Sequence, residues 1–301
     1  MTERRLGPFL ISQRIGGGGM GQTYVAERSG PAGFTQRVCL KRIITSDAED
    51  ARWIRMFQME ARLVARLHHP SIVSLIDFGE DQGDWWMALE LVEGPDLKAI
   101  LTGLHERGER MPVDCALYIT AEVAKALHHA HARRFDDGTS AGLVHRDVSP
   151  SNIMVGMEGS VQLTDFGIAK VLHAERTRTG DIKGKSGYMS PEQAMGEEVD
   201  ARTDLFALGV VLYEMLAGAR PFDGKTYIAT QLNVATGKRA DLRTMAPEVP
   251  GRVVEIVDAL LKTEKNERPG TAAEVLDLIS EMPVRANVVR TLGWIAGRTH
   301  G

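Results

Sequence analysis

Five glycines fall within six residues, Gly16-Gly17-Gly18-Gly19-Met20-Gly21, and Thr23-Tyr24-Val25-Ala26 comes almost at once after them. Gly16, Gly18 and Gly21 hold a G-x-G-x-x-G spacing, in which missing Cβ atoms let the backbone approach phosphate groups. A dinucleotide-binding fold would place a helix after such a loop. The residues here are strand-formers, so the loop reads as the tip of a β-hairpin. By itself the spacing suits a flexible turn equally well, and only motifs further along the chain can decide.

Residues 9–44 alternate apolar and polar positions around the glycines, which predicts strands and hairpins. Across residues 47–67, Trp53, Met56, Phe57, Met59, Leu63, Val64 and Leu67 recur at helical spacing and Pro70 closes the segment, which predicts one amphipathic helix. Strand-like runs occupy 72–78 and 85–91. After Gly94-Pro95 the pattern turns helical, with helices expected at 97–107, 112–133, 204–217, 226–237 and 251–262 and short strands at Val144, 153–155 and 161–163. The expected organisation is α+β and two-lobed: a small β-rich lobe with one main helix over 9–94, a larger helical lobe over 95–283, and a weakly patterned tail over 284–301.

The chain's formal net charge of −4 offers no broad basic surface, so nucleic acid is not an expected partner. Cys39 and Cys115 are the only cysteines and lack metal-ligand spacing, which fits a reducing cytoplasm and excludes a disulfide framework. The first ten residues carry charges and no continuous apolar core, so export is not expected. The most apolar stretch, 205–216, is too short to span a bilayer and contains Glu214, so a buried core helix is the better reading.

Two further segments carry chemistry. Lys41 lies on the strand after the glycine hairpin, in Val38-Cys39-Leu40-Lys41, and Glu60 lies on the helix beyond. A strand lysine and a helix glutamate are each ordinarily solvated. His145-Arg146-Asp147-Val148-Ser149-Pro150-Ser151-Asn152 then precedes Asp165-Phe166-Gly167, and it is the order of all these elements that is hard to obtain by chance.

On these motifs the chain, from about residue 9 to 279, resembles the eukaryotic-type serine/threonine protein kinases, particularly their bacterial members. Ser190-Pro191-Glu192 is similar to the family's Ala-Pro-Glu element. Asp204-Leu205-Phe206-Ala207-Leu208-Gly209 resembles the buried helix beneath the catalytic loop, and Arg268 the arginine that pairs with Glu192. Without the resemblance, Glu192 and Arg268 are plain surface charges.

The resemblance implies a two-lobed kinase fold, ATP with Mg²⁺ or Mn²⁺, and a protein substrate. Asp147 would accept or orient the substrate hydroxyl, Asn152 and Asp165 would hold the metal, and Lys41 would hold the α and β phosphates, oriented by Glu60. Ile15, Gly16, Gly18 and Gly21 would cover the nucleotide, with adenine against Thr23, Cys39 and Met154. Backbone groups of Glu90 and Val92 would bond the adenine edge, and Leu89 would guard the back pocket. Thr23 stands where the family usually has valine.

One departure is more informative. The family's lysine two residues after the catalytic aspartate is Ser149 here, while Lys185 stands where the family has the threonine that contacts that lysine. Lys185 is therefore expected to return a cation to the γ-phosphate, the alternative being a solvated side chain. Thr177 and Thr179, among Arg176 and Arg178, are expected autophosphorylation sites whose phosphates would pair with Arg146. Phosphorylation in trans implies a homodimer. The alternative for both threonines is an ordinary polar loop.

Three other readings compete. A pseudokinase scaffold would keep the fold and lose the chemistry, yet Lys41, Glu60, Asp147, Asn152 and Asp165 are all present. A small-molecule phosphotransferase would usually lack the Ser-Pro-Glu element, the Asp204 helix and Arg268. Tyrosine specificity is disfavoured by Pro150. The histidines at 128, 129 and 131 suit helix packing better than metal binding, and residues 135–142 read as an inserted loop.

Overall fold

In a computed structural model the chain is described over residues 4–18, 21–43, 50–134, 142–166, 186–282 and 287–300. It divides into two compact units, Met1–Val92 and Glu93–Gly301.

In the first unit the alternating pattern becomes one six-stranded antiparallel sheet. Its strands are β1 (Arg5–Leu6), β2 (Phe9–Gly18), β3 (Gly21–Ser29), β4 (Thr35–Ile43), β5 (Leu75–Asp81) and β6 (Asp84–Glu90), in the order β1-β2-β3-β4-β6-β5. Successive side chains on a strand point to opposite faces. Tyr24, Ala26, Val38, Leu40, Trp86 and Ala88 thus share one face, where they bury a core with Leu6 and Phe9. The Phe9 ring meets Trp86 edge-on at 5.3 Å between centroids. The amphipathic segment forms helix α1 (Asp50–Val64).

The second unit is helical. Its elements are α2 (Leu97–Glu106), α3 (Val113–His131), the strand pair β7 (Ile153–Val155) and β8 (Val161–Leu163), α4 (Pro191–Met195), α5 (Ala201–Ala217), α6 (Tyr227–Thr236), α7 (Leu242–Met245), α8 (Gly251–Leu260), α9 (Ala272–Ser280) and α10 (Val288–His300). Helix α5 is buried on every side from Thr203 to Ala217 apart from Glu214, which is the signature of a central core helix. Helices α3 and α8 pack on it. Among the described residues no helix is long and apolar enough to cross a membrane.

Two expectations need correction. Val144 is not in a strand. The backbone N–H groups of His145 and Arg146 donate to the Asp204 carboxylate at 2.8 and 2.7 Å, so a side chain takes the bonds that a ladder would have used. The segment read as weakly patterned contains helix α10, whose Val288, Leu292, Ile295 and Ala296 are buried at i, i+4, i+7 and i+8.

The second unit begins with a close backbone contact. Val155 N donates to Pro95 O and Met157 N to Glu93 O, both at 2.9 Å, so the 93–96 segment lies along β7. A Cβ on Gly94 would sit 2.0 Å from Val155 O. Gly94→Ala is therefore expected to lower the stability of this unit by about 1–3 kcal/mol, the cost of forcing volume into a packed site. Urea unfolding of the variant beside the parent protein measures it.

Candidate active site

Strand register assembles the first group of predicted residues. Thr23 pairs with Lys41, Lys41 with Met87, and Cys39 with both Val25 and Leu89. Because side chains alternate, Thr23, Val25, Cys39, Lys41, Met87 and Leu89 share the sheet face opposite the Trp86 core. Lys41 Nζ lies 3.4 Å from Glu60 Oε1 of α1, with both side chains largely shielded. The helix thus presents its glutamate to that same face.

The glycines occupy the β2–β3 hairpin end, with Gly16 opposite Thr23 and Gly18 opposite Gly21. A Cβ on Gly21 would come within 2.6 Å of Arg42 O, so this position packs strand against strand with no room for a side chain. Ile15, just before the glycines, is exposed. Glu90 ends β6 and its N–H bonds Ser74 O at 2.9 Å, while Val92 lies in the irregular segment after it.

In the second unit the catalytic segment is organised by one buried carboxylate. Asp204, on α5, accepts from the His145 and Arg146 N–H groups and lies 2.8 Å from His131 Nε2. Arg146 takes a left-handed backbone, φ 64°, which turns the chain immediately before Asp147. Gln193 Nε2 donates to Arg146 O at 3.1 Å and holds that turn from α4.

His145 links the two motif segments. Asp147 N–H donates to its Nδ1 at 3.2 Å, and Nε2–H donates to Thr164 O at 3.1 Å. That pattern fixes the neutral tautomer. Burial lowers the imidazole pKa despite the opposing pull of Asp204 and Asp147. The ring also meets that of Phe166, the residue after Asp165, in a tilted contact with 4.6 Å between centroids.

Asn152 Nδ2 donates to Asp147 O at 2.8 Å, which orients the amide. Thr164 N–H bonds Asn152 O at 2.9 Å, and Asp165 comes next with φ 56°. The β7–β8 pair therefore brings Asn152 and Asp165, well separated in sequence, to adjacent strand ends. Met154 sits mid-β7, bridged to Asp96. Ser149, where the resemblance expects lysine, is buried, and its hydroxyl lies 3.2 Å from that of Ser151.

Among the described residues no group of three or more His, Cys, Asp or Glu side chains forms a metal centre. The histidine trio does not form one either, since His131 is engaged by Asp204. Two hard oxygen donors, from Asn152 and Asp165, suit Mg²⁺, which typically takes one or two protein oxygens and fills its shell with substrate phosphates and water.

Ser190-Pro191-Glu192 starts α4. Ser190 and Gln193 form a reciprocal capping box, and Pro191 occupies the first turn, where its lack of an N–H costs nothing. Glu192 then meets Arg268 in a two-pronged pair at 2.8 Å for each contact, with the side chains 3% and 0% exposed. Burial, the largest influence, pushes the Glu192 pKa up. The hydrogen bonds from Arg268 and Thr203 outweigh it and hold the carboxyl below its ordinary value. The surface-charge reading of this pair is thereby excluded.

Sequence reasoning did not single out Thr203, His131 and Gln193 for these contacts. A histidine closing α3 ahead of the catalytic segment is the one available signal, and on sequence alone it reads as packing. Lys185, Thr177 and Thr179 lie outside the described residues, as does most of the inserted loop.

The family model described as "protein kinase domain" matches residues 9–278. The chain belongs to this family. The kinase domain is 35% identical to the tyrosine-protein kinase MasK of Myxococcus xanthus, over 91% of this chain and 42% of that protein. It is also 35% identical to the serine/threonine-protein kinase PrkC of Bacillus subtilis, over 85% of this chain and 37% of that one. The chain thus spans less than half the length of either relative. Among solved structures, the kinase domain of Mycobacterium tuberculosis PknI is similar with a TM-score of 0.68 at 28% identity, covering 93% of this chain and 98% of that one. These matches bear out the fold expected from the motifs: a β-sheet lobe with one main helix, then a helical lobe.

Proposed function

We propose that this kinase domain transfers the γ-phosphate of ATP to serine or threonine hydroxyls of proteins, using a divalent cation, Mg²⁺ or alternatively Mn²⁺. The observation that carries this reading is the hydrogen-bonded set of Asp147 and Asn152 around His145 and Asp204, with Asp165 directly after the Thr164 that bonds both His145 and Asn152, in a chain whose relatives include named protein kinases. Phosphoryl transfer asks mainly for alignment and charge neutralisation. Asp147 orients the attacking hydroxyl and takes its proton as the new P–O bond forms and the bond to the β-phosphate oxygen breaks. Lys41, steadied by Glu60, holds the α and β phosphates. Asn152 and Asp165 would hold the divalent cation, which would supply positive charge against the phosphates.

Adenine packs on Thr23, Cys39 and Met154, its edge bonded by the backbone of Glu90 and Val92, while Ile15, Gly16, Gly18 and Gly21 cover the nucleotide. Lys185 supplies the cation that Ser149 lacks. Phosphate on Thr177 or Thr179, placed by a second copy in a transient homodimer, pairs with Arg146 and orders the loop. The functional boundaries are then 9–94 for nucleotide binding, 95–283 for catalysis and 284–301 for the tail, in a cytoplasmic setting.

Pro150, which opens the turn Pro150–Asn152, supports serine or threonine as the acceptor. The similarity to MasK, a protein named for tyrosine, favours the second reading. The deciding experiment incubates the protein with Mg²⁺ and labelled ATP, with and without a basic protein acceptor, beside Asp147→Asn. Phosphoserine or phosphothreonine, including phosphate on Thr177 or Thr179 and none in the variant, is expected. Phosphotyrosine alone would establish the second reading, and nucleotide binding without transfer would overturn both.

A further inference from the structure

The strand pair that carries Asn152, Met154 and Asp165 is very short, three residues on each side. Two-stranded pairs of this kind are marginal on their own and need outside packing. One edge is covered by the 93–96 segment. The turn joining the strands is held by α10, which begins ten residues beyond the end of the family match.

The contact between that turn and α10 is backbone against backbone, and two glycines permit it. Gly159 has φ 86°, and a Cβ there would lie 2.1 Å from Val289 O. On the helix, a Cβ on Gly293 would lie 2.5 Å from Met157 O and 3.1 Å from both Glu158 C and Gly159 N. Leu292 and Ile295 anchor the helix beside this contact, and α10 also packs on α2 and α3. Its position therefore reaches the proposed metal and adenine residues through a rigid path of one turn and three paired residues per strand.

We propose that α10 is a positioning element of the nucleotide site, with Gly159 and Gly293 as positioning residues that set where β7 and β8 present Asn152, Met154 and Asp165. This inference rests on the kinase reading of those three residues. It predicts that displacing α10 weakens Mg²⁺-dependent nucleotide binding while the α5–α8 core stays intact.

The test uses the full chain, a fluorescent non-hydrolysable ATP analogue titrated with Mg²⁺ and with EDTA, and hydrogen exchange. Gly293→Val drives a side chain into the turn, whereas Leu292→Ala loosens the helix by deletion. Gly297→Ala is the control, because its Cβ would meet Met157 Cε at an ordinary 3.6 Å. Gly293→Val is expected to speed exchange in α10 and residues 152–165 and to weaken Mg²⁺-dependent affinity about tenfold, the scale of effect of a small misplacement at such a site. Leu292→Ala is expected to act in the same direction and decides the matter if the valine variant does not fold. Gly297→Ala should match the parent protein.

Faster α10 exchange with unchanged Mg²⁺-dependent affinity would overturn the proposal. So would a Gly293→Val protein whose α10 remains fully protected. Failure of the kinase reading is distinguishable, because the parent protein itself would then show no Mg²⁺-dependent binding of the analogue.

Discussion

Replacing Arg268 with alanine is expected to destabilise the helical unit by about 3–5 kcal/mol, because it leaves a buried carboxylate without its partner. The guanidinium does more than neutralise Glu192. It also donates to Lys262 O, Arg202 O and Thr263 O and stacks 4.8 Å from the Phe206 ring, so three backbone carbonyls lose a donor in the same step. Thr203 alone, at 2.7 Å from Glu192 Oε1, cannot replace two charged contacts.

The pH dependence gives this prediction a second readout. In the parent protein the Glu192 pKa is depressed in the folded state, so its contribution to stability is present above the unfolded carboxylate value of 4.5 and is lost as pH falls through the folded value. In Arg268→Ala burial acts with little opposition and raises the folded pKa, so protonation then favours the folded form. The stability gap between the two proteins should be widest near neutral pH and shrink toward pH 4.5 and below. Denaturant unfolding across that range checks it, and a gap independent of pH would mean that lost packing, not the charge, dominates.

The second large effect concerns the exchanged residues. Lys185→Ala is expected to lower kcat by roughly 10²–10³, since a cation at contact distance from phosphate at an effective dielectric near 20 is worth up to about 4 kcal/mol. Adding Ser149→Lys should recover much of that loss, because it restores the charge from the other side of the exchange. Ser149 has an extended backbone and immediately precedes the Pro150–Asn152 turn, and it is buried beside Ser151, so the lysine must extend out of this packing to reach the phosphate. In the parent background the same Ser149→Lys change should do little, on the proposal that Lys185 already serves the γ-phosphate. Steady-state kinetics on the four proteins forms a cycle, and additive effects would refute the exchange.

Lysine and serine at these positions also bear on the pseudokinase alternative. Its main support is the missing lysine at 149. Against it, within the first unit Lys41 lies beside Glu60, and within the second Asn152 is tied to Asp147. Both MasK and PrkC carry the name of kinases.

Much of this protein is legible without coordinates, because the relevant signals are local. Alternation in 9–44 specifies strands, the 3.6-residue repeat specifies α1, and a buried helix at 205–216 is implied by apolar residues on all sides. The order of the motifs is enough to indicate the family. The Lys41 and Glu60 pair is expected from that order, and strand register explains its setting: Lys41 lies an even number of residues from Cys39, so both point to one face, where Glu60 of α1 meets Lys41.

What the tertiary structure alone decided depends on partners far away in the chain. Val144 lies beside residues whose N–H groups bond to a carboxylate 58 and 59 positions distant, which no window of sequence reveals. His131 reads as packing until Asp204 is seen beside it. Helix α10 is interrupted by Gly293, which serves close backbone approach, and only the turn at Gly159 shows what it approaches. Sequence therefore determined the family and most of the main elements through motif order and local periodicity, while long-range contacts, each stabilising only in the assembled fold, determined which of those residues hold one another in place.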